Sequence, residues 1–414
     1  MGTVRGVEPR ILREDEWDQW YDALHQAFGL GSPPAEEREL DRALTEFDRA
    51  LVVRDGDALV GTAGAFSFRM TVPGGAAVPA GGVTMVSVAA THRRRGVLTS
   101  MMRRQLDDIR ALGEPVAVLT ASEPAIYGRF GYGVASFRRG VEIDTDRVSL
   151  ALPAGTEEVR VRYAAPADVL DSCEAVYAAL VPRRPGMLAR VPHWERAALL
   201  DPESEREGAS PLRCVVAERD GEITGYARFR TKSRWNESGV PEGTVRLTDL
   251  AGLDPVTEAA LWRFLFAVDL MPNLSVRSLP VDDALQHLVS DTRRCAPRLR
   301  DEAYVRLVDV GAALSARTYA APVDVVFEVE DAFCPWNAGR WRLSGDPKGA
   351  SCERTADAAD LALSVRELGS AYLGGVSLLS LAAAGRVREL RPGALERASV
   401  AFGSAVAPWL PHGF

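Results

Sequence analysis

The sequence predicts an α/β protein that closes on an α+β domain. Three observations carry that expectation. Strand and helix patterns run in the order ββ, β, α, β through residues 51–120, a hairpin from that segment recurs in the middle of the chain, and the last third mixes alternating strands with apolar helices. At 414 residues and roughly 150 residues per domain, the length accommodates two to four domains.

In chain order, a short strand near Arg10 to Leu12 precedes a helix over Asp15 to Phe28, where Trp17, Trp20, Tyr21, Leu24 and Phe28 recur at helical spacing. "GLGSPPAEEREL" interrupts as a loop before a second, polar helix. "ALVVRDGDALVGTAGAF" reads as a hairpin turning on Asp-Gly, and "GGVTMVSV" as a further strand. "GVLTSMMRRQLDDIRAL" is an amphipathic helix with Leu98, Met102, Leu106, Ile109 and Leu112 on one face, and "PVAVLTAS" is a buried strand.

Residues 145–158, "DRVSLALPAGTEE" with its Pro, Gly and charge, read as a linker. Beyond it "CVVAERDGEITGYARFR" repeats the first hairpin, and "TVRLTDLAGL" and "TEAALWRFLFAVDL" repeat the strand and helix that followed it. Two related domains in tandem are therefore expected, over 1–150 and 151–302. A third, α+β domain over 303–414 starts with the strand and helix of "YVRLVDVGAALSARTY", continues through "VDVVFEVED", "GRWRLSGD" and the helix "SLLSLAAAG", and ends in a helix over Gly393 to Phe402 and the tail "GSAVAPWLPHGF".

Charge and composition exclude several classes. A net charge of −8, from 49 basic and 57 acidic residues, argues against a nucleic-acid binder or a polybasic membrane protein and suits cationic partners. Lysine occurs only at Lys232 and Lys348, so nearly all positive charge is arginine. Cys173, Cys214, Cys295, Cys334 and Cys352 are scattered singly, as are the five histidines, which fits a reduced, cytoplasmic protein and offers no metal-ligand spacing. "MGTVRGVEPRILREDEW" has no apolar signal core, and no stretch approaches the ~20 apolar residues of a membrane span.

The chemistry concentrates at "VSVAATHRRRGVLTSMM". A strand feeding a helix through three arginines and a glycine offers backbone N–H groups, a helix dipole and charge-assisted donors from Arg94 and Arg95, an arrangement suited to a pyrophosphate. Gly96 is expected to allow close backbone approach. No GxGxxG after a strand, GxxxxGK[ST] or GxSxG competes with this reading. In the second domain the corresponding position is "LAGLDPVTEAALW", where Asp254 would meet a phosphate with like charge, so only the first domain is expected to bind such a ligand.

Strand, "RRRGVL", helix, strand and then "AIYGRFGYG" resemble the acyl-CoA site of the GNAT N-acetyltransferase superfamily. With "THRRRG", "ASEPAIYGRFGYG", a degenerate second domain and a C-terminal Phe, the whole chain is similar to the Eis family of actinobacterial acetyltransferases. That resemblance implies two GNAT domains followed by a sterol-carrier-protein-like domain. It also implies an acetyl-CoA site. The pantetheine arm would pair like an extra strand with Val86, Ser87 and Val88, and the pyrophosphate would lie at Arg93, Arg94, Arg95, Gly96, Val97, Leu98 and Thr99, with Ser122 and Glu123 flanking the cofactor. Leu98 stands where the broad superfamily has a small residue, and Ala90 where Pro is common.

Acetyl transfer from a thioester to an amine needs a neutral amine and protonation of the departing thiolate. Tyr127 holds the superfamily's general-acid position and, with an ordinary phenol pKa of about 10, is protonated at neutral pH; Tyr132 is expected to be structural, beside the core ring of Phe130. The resemblance places the general base at the terminal carboxylate of Phe414, with the two prolines and the large rings of "APWLPHGF" anchoring the tail. It further implies cationic acceptors, aminoglycosides at several amines or lysine side chains of peptides, and a hexamer. Two other readings stand beside it: an acetyltransferase for one small metabolite or peptide amine, and a non-catalytic lipid- or CoA-binding regulatory protein.

Overall fold

In the computed structural model, which describes residues 8–414, the chain opens with strand β1 (Arg10–Ile11) and helices α1 (Trp17–Phe28) and α2 (Ala35–Leu44). The apolar stripe of α1 buries Trp17, Trp20, Tyr21 and Leu24, and both indoles find acceptors, Trp17 on the Thr45 hydroxyl at 2.9 Å and Trp20 on the Leu51 carbonyl at 2.8 Å. The stripe stops short of Phe28, which is exposed beside the left-handed Gly29 that ends the helix. The hairpin of β2 (Leu51–Asp55) and β3 (Ala58–Thr71) turns at Gly56, φ 60°. It leads into β4 (Ala77–Val88), α3 (Val97–Ala111), β5 (Val116–Thr120) and the short β6 (Gly133–Val134). Helix α3 buries Met101, Met102, Leu106 and Ile109; Leu112, expected on that face, lies past its end and is exposed.

After β6 the chain enters a second compact unit, formed by Phe137–Arg183 and Arg190–Asp301. Its elements are β7 (Phe137–Asp144), β8 (Arg160–Ala164), α4 (Leu170–Leu180), then β9 (Leu188–Ala189), which belongs to the first unit, α5 (Trp194–Ala197), β10 (Arg213–Arg219), β11 (Glu222–Lys232), β12 (Thr244–Gly252), α6 (Pro255–Phe266), β13 (Asn273–Pro280), α7 (Leu285–Leu288) and β14 (Arg298–Asp301). The strands form one sheet in the order β14-β7-β13-β12-β11-β10-β8. Its core is Val215, Phe229, Val245, Leu261, Trp262, Leu265 and Leu274.

The chain then returns to the first unit with β15 (Ala303–Leu307), followed by α8 (Val310–Ser315), β16 (Val323–Glu330), β17 (Gly339–Asp346), β18 (Gly349–Arg354), β19 (Leu361–Ser364), α9 (Val365–Ala371), α10 (Leu378–Ala383), β20 (Val387–Glu389) and α11 (Ala394–Phe402). Strands β16 to β20 make a separate sheet in the order β18-β17-β16-β19-β20. Strand β15 instead inserts into the first sheet, ordered β1-β2-β3-β4-β5-β15-β6, with β9 paired to β3.

The boundary expected at 150 falls inside the second unit, which ends at Asp301, next to the expected 302. β7 pairs with β13 and β14 of the second unit, so the linker pattern at 145–158 lies inside that unit, and β15, expected to open the third domain, pairs antiparallel with β5 and β6. Alternation of apolar and polar residues identifies a strand but carries no record of which strand it pairs with. The first unit takes in Arg184–Ala189 as well.

Candidate active site

The first sheet opens at one point. β4 follows β3 all the way to Val88, but it pairs with its parallel neighbour β5 only from Ala80–Val116 to Gly82–Val118. A bulge explains the divergence. Met85 sits at φ 52° and the β3–β4 register jumps between Thr62–Ser87 and Gly64–Thr84, which sharpens the twist and turns the end of β4 away from β5. Backbone groups of Val83–Val88 on that side are left without a strand partner. An extended, amide-bearing ligand arm can pair there like another strand.

At the end of β4 a 3-10 turn over Ala90–His92 leads through Arg94, φ 63°, to Gly96, φ 87°, which caps α3. His92 holds the loop through its ring nitrogen, 3.0 Å from a carboxylate oxygen of Asp55. Gly96 brings no side chain to the helix start, so the amides of Val97, Leu98 and Thr99 receive no side-chain cap. Arg93, Arg94 and Arg95 are exposed and form no ion pair among the described residues. A Cβ on Gly96 would meet no protein atom within 4 Å. The glycine accommodates the positive φ, and the open space in front of it would let a phosphate group come close to the backbone.

Across the opening, β5 ends at Thr120 and the exposed Ser122 and Glu123 lead into the aromatic turn, a 3-10 turn over Tyr127–Phe130. Its glycines have partners far along the chain. A Cβ on Gly128 would stand 2.9 Å from the Arg366 guanidinium, one on Gly131 would stand 2.8 Å from Arg306 Nε, and one on Gly133 would collide with the backbone of α9 at Arg366 and Ser370. Arg306 is fully buried and paired at 2.7 Å with Asp331, which also accepts from the amides of Phe333 and Cys334. Strand β15 and helix α9 thus set the shape of the turn.

The two phenols separate. Tyr132 is fully buried with its hydroxyl unpartnered among the described residues, and burial pushes its pKa far above the ordinary phenol value. Its ring stands edge-on to that of Tyr127 at 6.0 Å. Tyr127 is half-buried, its hydroxyl has no hydrogen-bond partner among the described residues, and its pKa is raised, first by burial and then by the Glu123 carboxylate. It remains a proton donor at neutral pH.

The C-terminal tail is docked. From the end of α11, Pro408 is buried, the Trp409 amide donates to the Pro185 carbonyl at 2.9 Å, and the Leu410 amide donates to the buried Glu302 carboxylate at 3.1 Å. The Phe414 ring stands 5.0 Å from Phe68 and 6.5 Å from Phe66, both on β3, and a Cβ on Gly82 would lie 3.3 Å from it. Gly82 is the last residue at which β4 pairs with β5. The terminal ring therefore marks the point where the sheet opens. Edge-on aromatic contacts add about 0.5–1.5 kcal/mol to burial, enough to hold a terminus that would otherwise fray.

The second unit repeats the opening without the anion site. β12 pairs in parallel with β13 only over Thr244–Leu247, and α6 begins beyond it with Asp254 as cap. One Asp254 oxygen accepts from the amides of Val256 at 2.9 Å and Thr257 at 3.0 Å. The donors that would meet a phosphate are occupied by the chain's own carboxylate.

Sequence reasoning missed Arg306, Asp331, Arg366, Glu302 and the segment Arg184–Ala189. The three closely spaced glycines of the turn were a signal of crowding, but what crowds them lies in distant sequence.

Comparison with known proteins covers the same segments. A model of an acetyltransferase (GNAT) domain matches residues 8–135, a second model of that description matches 186–307, and a sterol carrier protein domain matches 310–411. An uncharacterized N-acetyltransferase of Streptomyces coelicolor is 74% identical over 412 residues, covering 99% of this chain and 100% of its own. The N-acetyltransferase Eis of Mycobacterium tuberculosis is 34% identical over 404 residues, 95% of this chain and 96% of its own. The crystal structure of an Eis protein of Mycobacterium abscessus superposes with a TM-score of 0.84 at 34% identity, covering 98% of this chain and all of that one. With an anion-ready helix start, an unpaired strand edge and a free phenol at one opening of the first sheet, and with relatives matching from end to end, the chain belongs to the Eis family of GNAT N-acetyltransferases.

Proposed function

We propose that this N-acetyltransferase moves the acetyl group of acetyl-CoA directly to primary amines of cationic acceptors, aminoglycoside-like amines or lysine side chains, at more than one position per acceptor, in a ternary complex. The observation that supports this reading is the seat of the Phe414 ring against Phe66, Phe68 and Gly82, the last residue at which β4 pairs with β5. Val86, Ser87 and Val88 hold the pantetheine arm. Arg93, Arg94, Arg95 and the amides from Gly96 to Thr99 hold the pyrophosphate, and Ser122 and Glu123 border it. The Phe414 carboxylate takes a proton from the acceptor ammonium, directly or through water. The amine nitrogen bonds to the acetyl carbon as the carbon–sulfur bond breaks, and Tyr127 gives its proton to the leaving sulfur; the nitrogen sheds its extra proton to become the amide, that proton returns through water to the Tyr127 phenolate, and the Phe414 carboxyl releases its own to solvent. The formal charge of −8 favours approach of a cation.

The interior of the C-terminal domain supports the enzyme reading over a lipid carrier. Tyr319, Phe327, Tyr372 and Phe402 fill it together with the buried Arg317 guanidinium, which donates to the carbonyls of Ala371, Tyr372 and Phe402. A hexamer and a cytoplasmic location belong to the same proposal; sedimentation of the full chain tests the first.

Steady-state turnover with one aminoglycoside acceptor tests the chemistry. Tyr127→Phe and a chain lacking Phe414 are each expected to lose between about 10²- and 10⁴-fold in kcat, the usual worth of a positioned acid or base. Retention of kcat by either variant removes that residue from the mechanism.

A further inference from the structure

We infer that Arg184–Ala189 is a positioning clasp, within the first unit, that aims the C-terminal carboxylate at the acceptor amine. The inference rests on the assignment of the base to Phe414. The segment interrupts the second unit, to which the chain belongs up to Arg183 and again from Arg190. Four consecutive residues, Pro185 to Leu188, are buried in the first unit.

On one side the clasp extends the sheet. Leu188 and Ala189 pair with Met70 and Arg69 of β3, the Thr71 amide donates to the Met187 carbonyl at 2.9 Å, and the Gly186 amide donates to the Thr71 carbonyl at 2.8 Å. On the other side it grips the tail. Arg184 donates to the Ala407 carbonyl at 2.6 Å, and the Pro185 carbonyl accepts from Trp409 at 2.9 Å. Gly186, at φ 92°, has the Trp409 backbone where a Cβ would go, its oxygen 3.0 Å away. β3 also carries Phe66 and Phe68, on which the Phe414 ring rests. The clasp therefore ties the tail to the very strand that receives its last residue. The ring contacts fix where Phe414 sits, and the backbone grip upstream fixes the path by which the chain reaches that seat, so the two together set the aim of the terminal carboxylate.

Carboxypeptidase A, which removes C-terminal aromatic residues, reads the tail directly in the full-length native protein. Wild type is expected to resist, while Arg184→Ala and Gly186→Ala release Phe414 at least about tenfold faster and lose between about tenfold and a hundredfold in kcat, the effect of a small misplacement, with KM for acetyl-CoA unchanged. Arg184→Lys, which keeps a donor for the Ala407 carbonyl, should restore both. Arg184 is only partly buried, so its variants carry the test if Gly186→Ala does not fold. Wild-type release of Phe414 from folded Arg184→Ala overturns the clasp. Full turnover by the chain lacking Phe414 overturns the base assignment instead, and the release assay then decides the clasp by itself.

Discussion

Two helices start at the mouth of two similarly opened sheets, and they meet their first turn in opposite ways. α3 begins at Gly96, with no side chain on its amides and three arginines before it; α6 begins at Asp254, whose carboxylate accepts from Val256 and Thr257. In each case β-strand pairing lapses beside the helix start, after Gly82–Val118 in one sheet and Leu247–Val276 in the other. The fold supplies the positive end of a helix dipole in both. Whether that end serves a ligand or the helix itself depends on the residue at the cap. A carboxylate there stabilises the helix and closes the site; a glycine leaves the donors for a phosphate at some cost in helix stability.

Exchanging the caps is the strongest way to break this comparison. Gly96→Asp gives α3 the cap of α6, and the affinity for acetyl-CoA, measured by calorimetry, is expected to fall by about a hundredfold or more, because the amides become engaged and a negative charge faces the pyrophosphate. Gly96→Asn, which tolerates the positive φ and lacks the charge, should lose less. Equal losses would assign the effect to geometry alone. The wild-type titration should fit one acetyl-CoA per chain, and a second site would end the distinction between the two helix starts.

A smaller effect concerns Tyr127, the phenol we propose as the proton donor. Burial, and then Glu123, raises the Tyr127 pKa, so the phenol stays protonated beyond the ordinary value of about 10. kcat is accordingly expected to hold through pH 10. Glu123→Gln removes the negative charge and should move the alkaline fall toward lower pH. A wild-type kcat that falls well below pH 10 in step with the Tyr127 phenol would contradict the raised donor.

Much of the first opening was legible because it is written locally. "RRRG" between a strand and a helix, the Asp-Gly hairpins and the Asp254 cap each combine chemistry and conformation within a few residues. What was illegible depends on pairing across the chain. "YVRLV" alternates as a strand whatever sheet it joins, and "RRPGML" is too short to show a period, so neither the insertion of β15 nor the clasp could be read. The aromatic turn lies between these cases. Gly128, Gly131 and Gly133 signalled a tight path, yet the cause is the approach of Arg306, Arg366 and α9, from residues far downstream. The apolar stripes were read too long at their ends: Phe28, the expected last residue of α1, is exposed, and Leu112 lies one residue past α3.

The smallest expected effect lies in the closed cap, and its pH dependence has a fixed sign. Burial by itself would raise the Asp254 pKa, but the amides of Thr257 and Val256, the Thr257 hydroxyl and Arg219 outweigh it and hold the carboxyl below the usual range. A depressed folded-state pKa contributes stability that is fully present above the unfolded value of about 3.9 and is lost as the pH falls through the folded value. At neutral pH, Asp254→Ala should cost about 1 kcal/mol, the ordinary worth of an N-cap, seen as a lower midpoint of thermal unfolding. The gap between wild type and variant should then close as the pH is lowered below about 4. A gap that persisted undiminished at pH 2 would mean that the charge on Asp254 does not stabilise α6, and the contrast with Gly96 would reduce to the presence or absence of a side chain.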